Sequence, residues 1–335
     1  MIFQTAWVVL VLLVTILWPG SREVYAELQK SERFGTEMQA SFQYLLSDFS
    51  GPVPSQWARL AFDPIHQETY TLNRGFNEIR VFNPQGMEIF VFGGDGDVVS
   101  AVDIASGDNG EIFVLPRDIR TQGIHVHNYR GAFQSAISLH GLPEHVAGFR
   151  PDRMEYQGGL FYLLDTRALQ IVVIRSDGSF LRIFDLAADF DRMADEQDPE
   201  KKKSLALEIN GFCVGPDGRM YLTAPTLFSA FRLNLDGSLE PFGDSGSGPG
   251  KFGVVSGIAV DHSGNVYVAD RLRSVVMIFD ETFNFLSEFG YRGGRSEDMI
   301  VPDDLVIDTV ANRVLVSQAA NKGVGVYKIS ALNRR

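Results

Sequence analysis

Four short apolar runs between Val255 and Gly290 constrain this chain more than any other feature. They cover Gly257 to Asp261, Gly264 to Asp270, Val275 to Asp280 and Phe285 to Gly290. Each is too short for a helix and is bounded by Asp, Ser, Gly or Asn, so the pattern predicts four antiparallel strands joined by tight turns. A small sheet that is apolar on both faces must stack on copies of itself. The same pattern does recur: aligning the second strands on their aromatic or apolar residue gives Tyr70, Phe113, Tyr162, Tyr221, Tyr267 and Leu315. The spacing, roughly 45 to 60 residues, is that of a blade repeat.

Six such units account for nearly all of the 335 residues, and 45% hydrophobic residues supply the core for one closed domain. The fold class expected is all-β, a six-bladed β-propeller over 42–330. At this point the residues resemble the NHL-repeat propellers. The run Gly248-Pro249-Gly250-Lys251-Phe252 followed by the fifth unit carries the likeness, with support from Gly218 to Leu222 and Pro302 to Asp308. The third unit departs from the pattern, with Gln157 where the repeat usually ends its strand in Asp. The resemblance implies a ring of six blades and leaves the activity open.

The ends of the chain carry two further signals. Ala6 to Trp18 is an apolar run followed by Pro19-Gly20 and Val24-Tyr25-Ala26, which suits export and cleavage after Ala26. The expected organisation is therefore a signal peptide over 1–26, a polar linker over 27–41 and a periplasmic or secreted propeller. No Lys or Arg precedes the run, so an uncleaved N-terminal anchor stays open as the alternative and is the only route to a membrane. Phe42 to Phe49 reads as a fourth strand with no first three before it, whereas the last unit has three strands near Leu305, Leu315 and Val326 and no fourth. The N-terminal segment is expected to complete the last blade, which removes the open edges of an incomplete ring.

One insertion breaks the period. Leu186 to Asp195, between the third and fourth units, has helical apolar spacing and predicts a short amphipathic helix overhanging one face of the ring. It reads equally as a docking element and as a tolerated surface insertion.

With 42 acidic against 30 basic residues, net −12, the chain is unsuited to nucleic acid. Against that background Arg74, Arg117, Arg167 and Arg271 all follow second strands, and Arg59 and Arg153 stand at the start of innermost strands. The alignment gathers these six around the channel mouth, where guanidinium forks suit carboxylates or phosphates. The competing expectation is that they pair with Asp152, Asp165, Asp270, Asp303 and Asp304. A divalent metal is considered at His125 and His127, two apart on one strand, with His140 and His145 in the same unit. The NHL-type amidating lyases hold zinc by histidines from separate blades, an arrangement not reproduced here. Sugar-lactone hydrolases, similar in architecture, use a Glu, Asn and Asp set, for which Glu155, Asn210 and Asp103 are the nearest match. Asp261, which recurs as Asp63 and Asp308, reads as a turn residue, and the lone Cys213 as a small buried apolar residue. No nucleophile elbow or phosphate loop is found.

The leading functional expectation is an exported platform binding another exported protein or a small anionic ligand, without a cofactor. The alternative is a metal-dependent hydrolase or lyase with its site at the channel mouth.

Overall fold

The computed structural model describes residues 36–333, except 95–97, 99, 147 and 198–206. The segment 1–26 and most of the predicted linker lie outside the described residues. Residues Ala40–Ser330 make one compact unit, and 36–39 and 331–333 belong to a second, smaller one.

Six four-stranded antiparallel sheets form the ring of a six-bladed propeller. Blade 5 shows why the sequence folds this way. Its strands Val255–Val260, Val266–Asp270, Val275–Phe279 and Phe285–Phe289 pair in chain order. Tyr267 sits opposite Ala259 on one side and Ile278 on the other. Every residue of the two middle strands is buried, so β-branched side chains pack both faces against neighbouring blades. Between the first two strands Asp261 caps its own turn, accepting from the Ser263 and Asn265 amides at 2.8 and 2.9 Å and from the Tyr267 hydroxyl at 3.1 Å. Asp63 and Asp308 repeat the device in blades 1 and 6, as expected of a structural turn.

The inner strands are Arg59–Asp63, Ala101–Ser106, Arg153–Gln157, Phe212–Val214, Val255–Val260 and Pro302–Asp308. Each packs against the next, and that of blade 6 against that of blade 1, so the circle is complete.

Blade 6 takes its outermost strand from the N-terminal side: the order is Thr36–Leu45, Val324–Asn333, Arg313–Gln318, Pro302–Asp308. The Leu46 amide donates to Val324 O at 3.0 Å. Leu46 is 2% exposed in a core with Val324, Val326, Leu315 and Phe82. Tyr44 adds a clamp between the closing strand and blade 1, donating to Pro84 O at 3.0 Å and accepting from Arg313 Nη1 at 2.5 Å.

This strand begins at Thr36 and stops at Leu45, where the sequence predicted 42 to 49. Ser47 and Asp48 turn back to pair with Pro52 and Gly51, a reversal helped by the positive φ of 120° at Gly51.

The insertion forms a helix, Ala187–Gln197. Phe190 anchors it between blades 3 and 4, 1% exposed, its ring edge-on to Phe231 at 5.1 Å. Among the described residues no helix is long and apolar enough to cross a membrane.

Candidate functional site

Two neighbouring constructions occupy the face formed by the blade-to-blade connections and the loops after second strands. The first is a collar of charged and polar groups around the channel, to which every blade contributes. Arg59 and Arg153 start the inner strands of blades 1 and 3 and line the channel, the two residues 4% and 9% exposed. Asp103 of blade 2 accepts from the Ile104 amide at 3.1 Å and, across the blade junction, from the Met154 amide at 2.8 Å. Arg153 Nε donates to Asn210 O in blade 4 at 3.0 Å. The Asn210 amide, oriented by its hydrogen bonding with the oxygen toward blade 5, accepts from Arg271 Nη1 and Nη2 at 3.1 and 2.7 Å. Arg271 in turn binds Asp303 of blade 6 through Nε at 3.1 Å and through Nη2. Asp304 closes the circle, taking the Leu60 amide of blade 1 at 3.0 Å and facing Arg59 at 3.8 Å. Ser256 belongs to the same seam, its hydroxyl donating to Pro302 O at 2.9 Å.

Burial governs the protonation of this collar. It pushes the Asp103 carboxyl up to about 6, against the pull of Arg59 and Arg153. Asp304 is raised for the same reason, with Arg59 opposing. Glu155 lines the channel wall below; enclosure, then the charges of Asp103 and Asp304, hold its carboxyl well above the usual carboxylate range. Burial lowers Arg153 to about 10, with Arg59 adding repulsion. Burial works against Arg59 as well, yet the carboxylates led by Asp304 outweigh it and raise its pKa.

The second construction is a cavity of about 580 Å3 between blades 2 and 3, within the size range of small-ligand pockets. Arg117, Arg150 and Arg167 line it with Asp118, Asp152 and Asp165. The carboxylates of blade 3 are largely committed. Asp165 accepts from the amides of Arg150, Arg167 and Ala168 at 2.7, 3.0 and 2.9 Å. Asp152 takes the Thr166 hydroxyl at 2.8 Å and faces Arg153 at 3.7 Å. The three guanidiniums are exposed, and among the described residues none makes an ion pair or side-chain hydrogen bond.

The six arginines singled out in the sequence therefore divide. Arg59, Arg153 and Arg271 build the collar and meet Asp304, Asp152 and Asp303, as the pairing expectation had it. Arg117 and Arg167 line the cavity. Arg74 lies near Arg59; burial, then the charge of Arg59, lowers its pKa. Asp270 takes backbone amides instead of an arginine, accepting from Gly253, Val254, Leu272 and Arg273. Arg150 was not singled out because it lies in the connection before blade 3, outside the alignable strands. Its signal was position: Asp165 holds that connection as Asp270 holds residues 253 and 254.

His125 and His127 sit on the third strand of blade 2, away from the channel-lining residues. His127 is fully buried, with Nδ1 3.0 Å from Gly131 O and its ring 5.5 and 5.7 Å from those of Phe92 and Phe133. His125 keeps its ring 5.4 Å from Phe133, and burial lowers its pKa. Among the described residues no group of three or more His, Cys, Asp or Glu is arranged to hold a metal ion. The set Glu155, Asn210 and Asp103 fits a cation poorly as well: the Asn210 oxygen is taken by Arg271, and two guanidiniums already act on Asp103.

No family model matches the chain, and no curated protein matches it. Solved structures match through the ring. A protein of unknown function from Bacteroides thetaiotaomicron gives a TM-score of 0.62 at 11% identity, covering 88% of this chain and 77% of that one. A gluconolactonase from Xanthomonas campestris gives 0.57 at 13%, over 88% and 90%. The calcium-binding protein regucalcin from Agrobacterium tumefaciens gives 0.56 at 18%, over 88% and 98%. These define the class as a six-bladed β-propeller. The particular neighbours are propellers of the gluconolactonase and regucalcin kind, and the likeness is to the ring itself, not to the NHL repeat in particular.

Proposed function

We propose that this chain is an NHL-like propeller platform, working outside the cytoplasm, that binds an anionic small molecule in the cavity between blades 2 and 3. One observation carries the reading: Arg117, Arg150 and Arg167 face a cavity of about 580 Å3 uncommitted, while Asp152 and Asp165 beside them are occupied by hydrogen bonds. Guanidiniums held on a rigid frame without an internal acceptor are suited to the carboxylate or phosphate groups of a ligand. The apolar run Ala6 to Trp18 and the small residues before Glu27 support export.

A second reading, a hydrolase or lyase at the channel mouth, is favoured by the shifted carboxyls of Asp103 and Glu155. It is also the kind of activity named in a fold neighbour, the gluconolactonase. It would have to proceed with Arg59 and Arg153 in the place where a cation would be held.

Citrate serves as the probe. Bound at a tenfold excess over its Kd it should stabilise the native protein by about 1.4 kcal/mol in a thermal melt. The triple variant R117Q/R150Q/R167Q should melt as the parent does without citrate and show no citrate shift. An equal shift in parent and variant would remove this cavity from the account.

A further inference from the structure

Arg59 is the least satisfied charged group in the collar. Its side chain is 5% exposed, its Nη1 stands 3.8 Å from Asp304 Oδ1, beyond hydrogen-bond reach, and its Nε is buried with no hydrogen-bond partner among the described residues. A guanidinium carries five donors in a fixed fork, and burying one without acceptors is costly. Arg153, its counterpart in blade 3, is bonded to the main-chain oxygens of Asn210 and Asp152 at 3.0 and 2.8 Å. The carboxylates are tied to the backbone too, Asp103 through both oxygens and Asp304 through Oδ2. What the collar leaves unanswered is a donor.

Neither Nη group of Arg59 makes a hydrogen bond among the described residues, and Arg59 lines a second cavity, the channel lumen, of about 170 Å3, together with Asp103, Arg153, Glu155 and Asp304 and with Phe212 and Cys213 on its wall. We propose that the lumen is a binding site for a small monocarboxylate, of the size of formate or acetate, seated against the Arg59 fork. The lumen is separate from the cavity lined by Arg117, Arg150 and Arg167, and shares no lining residue with it.

The surrounding charges set how binding responds to pH. Facing Asp103 are Arg59 and Arg74 from blade 1, Arg153 and Glu155 from blade 3, and Asp304 from blade 6. While Asp103 is ionised its charge answers the guanidiniums around it, and an added carboxylate competes with it for them. As pH falls through about 6, Asp103 takes up a proton and the lumen becomes more positive by one charge. Above that midpoint binding should therefore draw in up to one proton and tighten by up to about tenfold for each pH unit by which the solution is lowered.

The test is a titration of the full chain with sodium acetate, read at the Nε–H resonances of 15N-arginine-labelled protein at about pH 5.5 and about pH 7.5, conditions that bracket the Asp103 midpoint. The proposal expects saturable shifts of the Arg59 and Arg153 Nε–H resonances, the Arg153 shift lost in Arg59→Lys and both retained in R117Q/R150Q/R167Q, with the tighter constant at the lower pH. Arg59→Lys keeps the charge, and a thermal melt confirms that it folds. No saturable shift at either pH would overturn the proposal, as would one that survives Arg59→Lys or one lost in the triple variant. Loss of citrate binding alone leaves the acetate result standing, so the two sites fail separately.

Discussion

Neutralising Asp103 should weaken the ring more in acid than near neutrality. The folded carboxyl titrates at about 6 against an ordinary value of 3.8. Between those values the native state holds a proton that the unfolded chain has released, so this group stabilises the fold at low pH and loses that contribution as pH rises toward 6. Two units at about 1.4 kcal/mol each amount to about 3 kcal/mol across the window. Asp103→Asn removes the titration. The amide cannot accept from both the Ile104 and Met154 amides as the carboxylate does, so a pH-independent loss of about 1–3 kcal/mol is superimposed. The assay is urea unfolding of parent and variant at a series of pH values from about 4 to about 7, plotted as the difference in unfolding free energy. That difference should favour the parent most at the acid end and shrink by about 3 kcal/mol toward neutrality. Parallel curves, or an Asp103 13Cγ titration with its midpoint at the ordinary 3.8, would refute the account of the buried collar.

Two further expectations concern the frame that holds the sites. Leu46→Ala, at a position 2% exposed beneath the closing strand, should cost about 2–5 kcal/mol in chemical denaturation, and a loss below about 1 kcal/mol would mean the strand contributes little to closure. Phe190→Ala should release the inserted helix from blades 3 and 4 and expose 187–197 to limited proteolysis while citrate binding persists; unchanged protease resistance would count against Phe190 as the anchor.

Much of the ring could be read from the residues because a blade is a local object. Its strands are a few residues apart, its turns use Asp, Asn and Gly for backbone reasons, and the pattern repeats. The closing strand was legible by the same logic, since a fourth-strand pattern with no first three has one partner-less sheet to join. Its limits were misplaced because Ser47 to Pro52 forms a small hairpin, which alternation of polar and apolar residues does not distinguish from a continuing strand. The arginines were harder. Repeat alignment places the start of a side chain but not its reach, so Arg117 and Arg271 looked equivalent, while the fold leaves the first exposed and pairs the second with Asp303. What a carboxylate answers depends on contacts across connections: Asp152 and Asp303 both follow a proline at the entry to an inner strand and go to the Thr166 hydroxyl and to Arg271 respectively.

The sharing of blade 6 between the two ends of the chain bears on the order of assembly. Tyr44 and Arg313, which touch in the clamp, are 269 positions apart, so the outermost strand is synthesised long before the three strands it joins and is among the last elements of the ring to find its place. At ribosomal rates that interval is on the order of tens of seconds. Throughout it the apolar alternation of residues 42–46 has no sheet of its own to join, and five finished blades would stand as an open arc with two bare ends. The step that unites them is a single long-range docking event, so factors that shield a waiting strand, or a slow final elongation, should affect yield more than any change within a blade.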